Sequence, residues 1–188
     1  MALDMVKFRL VWWFKYFGRG SKDDVTMLLL DVEGRCVDIK FDRIINVCSW
    51  APSPVIDLSF NVDGSVRGSP SMAGIGGVLR EAGGKILCLF PLHVEVVNLI
   101  TTEVLAIHIA CSLISSLRQF DGRFLTILSD SSLAVSWING DGFGRLGLVH
   151  LVYNIKQFFS SRIIASIKYM PRGFNSLADS LAKADVDL

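Results

Sequence analysis

The order of patterned segments is what most narrows the folds open to this chain. Asp57 to Asp63 alternates strictly, with Leu58, Phe60 and Val62 on one side and Ser59, Asn61 and Asp63 on the other, the pattern of a half-polar strand. Met72 to Arg80 reads as a second strand, loosened by Gly74, Gly76 and Gly77, and Ala82-Gly83-Gly84 is a hairpin turn leading into a third strand, Lys85 to Phe90. Thr101 to Leu117 has the length and composition of a core helix, with Thr101 or Thr102 as its N-cap. Phe124 to Leu128 is a short, buried strand. Ser131 to Asn139 and Leu146 to Ser161 read as helices, Ile163 to Met170 as a strand, and Asn175 to Ala184 as a closing helix. Three strands linked by short turns imply an antiparallel meander. Strands that follow helices imply crossovers and parallel pairing. The expected fold is α/β: a mixed five-stranded sheet flanked by helices.

The region before this series differs in character. Residues 1–54 begin with an aromatic cluster (Trp12, Trp13, Phe14, Tyr16, Phe17) and end at Trp50-Ala51-Pro52-Ser53-Pro54, where two prolines fix an extended connection. Residues 1–54 are read as a connecting head segment and 55–188 as the main domain. The head carries 8 basic and 7 acidic residues and the remainder 11 of each. A net charge of +1 therefore excludes a protein that grips polyanions by bulk positive charge, so any nucleic-acid chemistry must come from a local site. The hydrophobic fraction of 51% excludes a disordered chain. No stretch has the roughly 20 uninterrupted apolar residues of a membrane span, and no secretory leader pattern stands at the start. Phe8 to Phe17 reads as a segment packed on the domain rather than one skimming a membrane. Cys36, Cys48, Cys88 and Cys111 form no CxxC pair, which speaks against zinc and for an intracellular (nuclear or cytoplasmic) chain that is not secreted.

Four acids stand out. Asp63 ends the alternating strand and precedes Gly64-Ser65. Glu103 lies in the first turn of the most apolar helix. Asp130 follows the buried strand, and Asp179 lies within the closing helix among Leu177, Ala178, Leu181 and Ala182. Each has an ordinary reading: a turn residue at Asp63, a helix-dipole partner at Glu103, a cap at Asp130, a solvated surface acid at Asp179. Taken together they point elsewhere. An α/β sheet gathers its site at strand ends, and clustered carboxylates repel unless a cation compensates. Hard divalent cations, Mg²⁺ above all, suit oxygen ligands. Two such ions serve phosphodiester hydrolysis.

These residues also carry a resemblance. The strings NVDGS (Asn61 to Ser65), AGIGGVLRE (Ala73 to Glu81), TEVLAI (Thr102 to Ile107), ILSDSSLAVSWI (Ile127 to Ile138) and NSLADSLAK (Asn175 to Lys183) resemble the type 1 ribonuclease H domain. The version most similar is the one attached to plant non-LTR (LINE-type) retroelement reverse transcriptases. The resemblance covers about residues 55–185, and the head, with RLVWWFKYFGRGS, is similar to the connecting stretch before that domain. It implies an RNase H-like fold with Asp63, Glu103, Asp130 and Asp179 as the catalytic, metal-binding quartet. That quartet is expected to hold two Mg²⁺ ions, or Mn²⁺, and cleave the RNA strand of an RNA–DNA hybrid. It further implies that Gly64 and Ser65 let the hybrid backbone approach and that Asn175 orients the last carboxylate or the preceding loop; Arg172, in the loop where the family's histidine is absent, is read as a phosphate contact instead. A reverse transcriptase domain in a longer polyprotein is the expected partner, and no membrane.

The sequence departs from the family pattern in two places. Tyr169 stands where many members carry a histidine that helps product leave, and a phenol with an ordinary pKa near 10 cannot shuttle protons at neutral pH. Leu99 and Ile100 stand where hybrid-gripping amides are expected. The alternative reading is a catalytically weak or vestigial RNase H-like nucleic-acid-binding module. Ala73 to Gly77 lacks a full GxGxxG and leads into a strand, so it is no dinucleotide loop, and the absence of GxSxG removes a hydrolase elbow. Trp137 reads as core, and Gly140 to Gly147 with Arg145 as a flexible connection.

Overall fold

The structure is a computed structural model of the 188-residue chain. It describes residues 28–30, 36–38, 57–68, 72–95, 98–117, 120–140, 142, 144, 146–161 and 165–184. The Trp12 to Phe17 cluster, the Phe8 to Phe17 stretch, the Pro52–Pro54 boundary and Arg145 lie outside these residues. The chain divides into two compact units, Met1–Asn46 and Val47–Leu188. In the first, β1 (Leu28–Leu30) pairs antiparallel with β2 (Cys36–Asp38), Leu29 opposite Val37.

The second unit holds the mixed sheet. Its strands are β3 (Leu58–Arg67), β4 (Met72–Glu81), β5 (Ile86–Val94), β6 (Leu125–Ser129) and β7 (Ala165–Tyr169). They lie in the order β5-β4-β3-β6-β7. The hairpins β3–β4 and β4–β5 are antiparallel, and β6 joins β3 in parallel, as does β7 to β6. The mixed five-stranded sheet expected from the sequence is therefore the fold. The helices are α1 (Leu99–Ser116), α2 (Ser132–Asn139), α3 (Val149–Ser161) and α4 (Ser176–Ala184).

Three elements differ from the sequence reading in instructive ways. β3 does not stop at Asp63 but runs on to Arg67, because Gly64 and Ser65 continue the ladder opposite Ile75 and Gly74. β5 passes through Pro91, which an edge strand tolerates because one face of its hydrogen-bonding ladder is unpaired. The expected helix from Leu146 is a 3₁₀ turn, Leu146–Leu148, followed by α3.

Packing explains why β3 is central. Its apolar side, Leu58, Phe60 and Val62, is wholly buried in a core shared with Val104, Ile107 and Ile114 of α1, Ile127 of β6 and Ile155 of α3. Fully burying side chains of this size is worth about 1.5–3 kcal/mol each. Phe60 meets Phe90 edge-on at 5.8 Å, and Trp137 packs against the same core, as expected. The polar side is buried as well: Ser59, Asn61 and Asp63 are 2–3% exposed. The half-polar strand is thus polar without being wet. Gly76, across from Asp63, lies against α4: a Cβ there would stand 2.4 Å from the Ala178 carbonyl oxygen and 2.5 Å from the Ala182 nitrogen. At the entry to the sheet Arg123 grips Asp57, its Nε donating to Oδ2 at 2.9 Å, while the Leu58 N–H donates to the Phe124 carbonyl. That places the starts of β3 and β6 side by side, so their carboxyl ends finish at the same edge.

Candidate metal centre

That shared edge carries the acids. Asp63 sits on β3, and Val62 lies opposite Ser129, the residue before Asp130. Glu103 arrives from α1. Its approach depends on Gly64, where a Cβ would lie 2.7 Å from the Glu103 nitrogen and 2.8 Å from the Thr102 carbonyl carbon. In the structure the close backbone approach permitted by Gly64 is that of α1. Asp179 comes from the first turn of α4.

The ordinary readings of three acids fail on geometry. The N-cap of α1 is Asn98, whose Oδ1 accepts from the Thr101 N–H at 3.0 Å, not Thr101 or Thr102. Asparagine caps more strongly than threonine and moves the helix start back to Leu99. Glu103 is then the fifth helical residue, beyond the first turn where the helix dipole acts. The cap of α2 is Ser131, accepting from the Ala134 N–H, so Asp130 is not spent on capping. Asp63 lies within a strand rather than a turn.

One ligand oxygen from each of Asp63, Glu103 and Asp130 lies within 4.8 Å of the others. Burial and mutual repulsion act together on Asp63 and Glu103. Desolvation, then the charges of Glu103 and Asp130, pushes Asp63 up to about 9. Desolvation, then the Asp130 charge, pushes Glu103 up to about 8, against a lowering hydrogen bond from the Gly64 N–H and the charge of Arg172. Glu103 Oε2 is buried and has no hydrogen-bond partner within the protein. An acceptor so placed, in a set made entirely of carboxylate oxygens, fits a hard divalent cation.

Asp179 stands apart from the trio and is held by two cations. Lys183, one turn along α4, places Nζ 2.5 Å from Oδ2. Arg172 places Nη2 3.3 Å from Oδ1. Arg172 Nε also lies 3.9 Å from Asp130 Oδ2, so one guanidinium, itself 75% exposed, spans the gap between Asp179 and the trio.

The other residues expected at the site divide by burial. Ser65 and Asn175 are 8% and 1% exposed, and the Asn175 Nδ2 donates to the Val62 carbonyl at 2.9 Å. Tyr169, at the end of β7 opposite Ser129, is 53% exposed, and Leu99 is similarly open. Lys183 and Arg80 were not anticipated. The signal for Lys183 was its i,i+4 spacing from Asp179. The signal for Arg80 was a charge in an otherwise apolar strand, where it is 5% exposed.

Comparison with known proteins follows the fold. Residues 61–185 match the family described as reverse transcriptase-like. Among solved structures, LC11-RNase H1, isolated from compost by a metagenomic approach, is 23% identical, with a TM-score of 0.62 over 70% of this chain and 96% of that one. The same protein has been solved in complex with an RNA/DNA hybrid. RNase H1 from the halophilic archaeon Halobacterium salinarum is 23% identical, with a TM-score of 0.61 over 69% of this chain and 97% of that one. The prototype foamy virus protease-reverse transcriptase is 19% identical, with a TM-score of 0.62 over 75% of this chain but 22% of that one. At these identities the likeness is one of fold. No curated protein matches this chain.

Proposed function

Because the chain belongs to the reverse transcriptase-like family, whose match spans residues 61–185, we propose that it is a divalent-metal-dependent ribonuclease acting on the RNA strand of RNA–DNA hybrids. The observation that carries the reading is the cluster of Asp63, Glu103 and Asp130, the first two buried, together with a buried, unpartnered Glu103 oxygen. Support also comes from the fold neighbour that has been solved with an RNA/DNA hybrid.

Asp63, Glu103 and Asp130 would hold a divalent cation such as Mg²⁺, and Asp179 on α4 would help hold a second. Bound ions supply an activated water and charge neutralisation at the phosphate. The protein's own part is orientation. The Gly64 N–H fixes one Glu103 oxygen and leaves the other for a cation. β3 and β6 hold Asp63 and Asp130 on rigid parallel strands, and the low-dielectric surroundings strengthen each charge interaction made there. Arg172 and Lys183 pair with Asp179 until a cation displaces them, and Arg172, largely exposed, then turns to a backbone phosphate. With Tyr169 in place of a histidine the reaction proceeds without an imidazole at that point, so turnover is slow.

The foamy virus comparison, in which this fold is 22% of a longer chain, supports a reverse transcriptase polyprotein as the natural setting. The five sequence motifs support an origin in a LINE-type retroelement. The deciding experiment is cleavage of an end-labelled RNA–DNA hybrid in Mg²⁺ or Mn²⁺, with Asp63→Asn and Asp130→Asn as controls. Cleavage lost in both variants is expected. Hybrid binding without cleavage by folded wild-type protein would establish the vestigial module instead.

A further inference from the structure

A row of buried polar side chains runs beneath the acids, and the metal ligands do not include it. Arg80 of β4, Asn61 of β3 and Asn175 before α4 are all 5% exposed or less. Arg80 Nη1 donates to Asn61 Oδ1 at 3.3 Å. Asn61 Nδ2 donates to Asn175 Oδ1 at 3.3 Å and lies 3.0 Å from the Met170 sulfur. Asn175 Nδ2 donates to the Val62 carbonyl oxygen at 2.9 Å.

The sense of this chain is fixed at both ends. A guanidinium can only donate, and a backbone carbonyl can only accept. Arg80 therefore turns Asn61 so that its oxygen faces β4 and its NH₂ faces Asn175. That NH₂ turns the Asn175 oxygen toward it, and the Asn175 NH₂ is left for Val62. Neither amide can rotate by half a turn without setting donor against donor or acceptor against acceptor in a buried place, which is costly.

Both outputs of the row reach the acids. Val62 immediately precedes Asp63. Asn175 accepts the Asp179 N–H on its backbone carbonyl at 3.0 Å, and its own N–H donates to the Arg172 carbonyl at 2.9 Å. Asp63 rides on β3 and Asp179 on α4, two elements on which the sheet imposes no common register. The row is a cross-link between them.

We infer that Arg80 is a positioning residue: acting through Asn61 and Asn175, it sets the separation of Asp63 from Asp179 and thereby the affinity for divalent cations. The inference rests on the metal-binding reading of these acids. Partners that orient metal ligands from outside typically carry about 10–100-fold in affinity or activity.

The test uses the full chain with Arg80→Met, Arg80→Gln and Asn61→Leu. Three measurements are made: exchange of the Asn61 and Asn175 side-chain amide protons by NMR in metal-free protein, Mg²⁺ affinity by calorimetry, and kcat and KM on a hybrid. Arg80→Met and Asn61→Leu are expected to speed Asn175 amide exchange. They are also expected to weaken Mg²⁺ binding about tenfold and lower kcat about as much with KM unchanged. Arg80→Gln keeps a donor toward Asn61, and recovery of slow exchange and of most of the Mg²⁺ affinity is expected. Asn61→Leu covers the case in which Arg80→Met does not fold. Folded variants with wild-type exchange, affinity and kcat overturn the inference. So does a loss of kcat and KM together with thermal stability that sucrose restores, since that marks a structural role alone. If wild-type protein binds no Mg²⁺ and cleaves nothing, the functional reading fails, while the metal-free amide exchange still decides whether Arg80 orders the row.

Discussion

Gly76 and Ala178 touch through bare backbone: the place where a Cβ would sit on Gly76 is 2.4 Å from the Ala178 carbonyl oxygen. Asp179 is the next residue along, so the helix that presents the fourth acid rests on Gly76 through its backbone and the Leu181 Cβ.

Gly76→Ala is expected to lift α4. Overpacking of this kind costs about 1–3 kcal/mol, and the displaced Asp179 should reduce hybrid cleavage more than hybrid binding. Gly64→Ala, whose Cβ would lie 2.7 Å from the Glu103 nitrogen, should act on the other side of the site. Thermal unfolding and kcat against KM check both. Unchanged kcat in either folded variant would dismiss the close contacts as the means of placing the acids.

Metal-free stability should fall as pH rises. Folding raises Asp63 from 3.8 to about 9 and Glu103 from 4.5 to about 8. The folded state thus holds protons that the unfolded chain has released, and stability falls wherever the native state binds more protons. What these two groups allow is fully present below about pH 4 and is lost progressively up to about pH 9. Mg²⁺ should reverse the trend, with the largest gain at high pH; a hundredfold excess over Kd is worth about 2.7 kcal/mol. Melting curves from pH 5 to 9, with and without Mg²⁺, give the answer. A Mg²⁺ effect independent of pH would refute the buried, proton-holding pair of Asp63 and Glu103.

Arg172→Met removes a cation that competes for Asp179 and Asp130. Exposed ion pairs are worth about 0.2–1 kcal/mol, so Mg²⁺ should bind more tightly, by a factor of about 1.5–5, while the hybrid binds more weakly and with a shallower salt dependence. Calorimetry for the ion and salt titration of hybrid binding separate the two effects. Weaker Mg²⁺ binding in the variant would show that Arg172 organises the acids rather than competing for them.

Tyr169→His should raise turnover. Tyr169 is half exposed at the end of β7, opposite the residue before Asp130. An imidazole with a pKa near 6.5 can carry protons at neutral pH. General acid–base help begins at about 10²-fold. The expected sign is a higher kcat with a new limb in the pH–rate profile near pH 6.5. An unchanged profile would mean that no proton passes that point.

Local pattern made the sheet legible from sequence. Alternation in Leu58 to Val62, glycine at the Ala82–Gly84 turn and the apolar run of α1 each state their element with near neighbours alone. The cluster of Asp63, Glu103 and Asp130 was legible because each of the three stands at the end of an apolar strand or within an apolar helix. What the sequence hid was non-local. Nothing near Asp63 indicated that its strand would run on, since Gly64 is shaped by α1 and not by a turn. Nothing near Asn61 announced that its polar face would be roofed by α4. Arg80 acquired its meaning only when Asn61 and Asn175 met it from other elements.

The Arg80–Asn61–Asn175 row also guards against mispairing during folding. A slip of β3 by two residues against β4 keeps Leu58, Phe60 and Val62 on the apolar side, so hydrophobic burial scarcely notices it. The same slip moves Asn61 from its place diagonal to Arg80 and takes it away from Asn175, so the buried row is broken. Misregistered intermediates are therefore penalised by the residues that set the spacing of the acids. A molecule that has folded at all has, by that fact, been proofread at its working end.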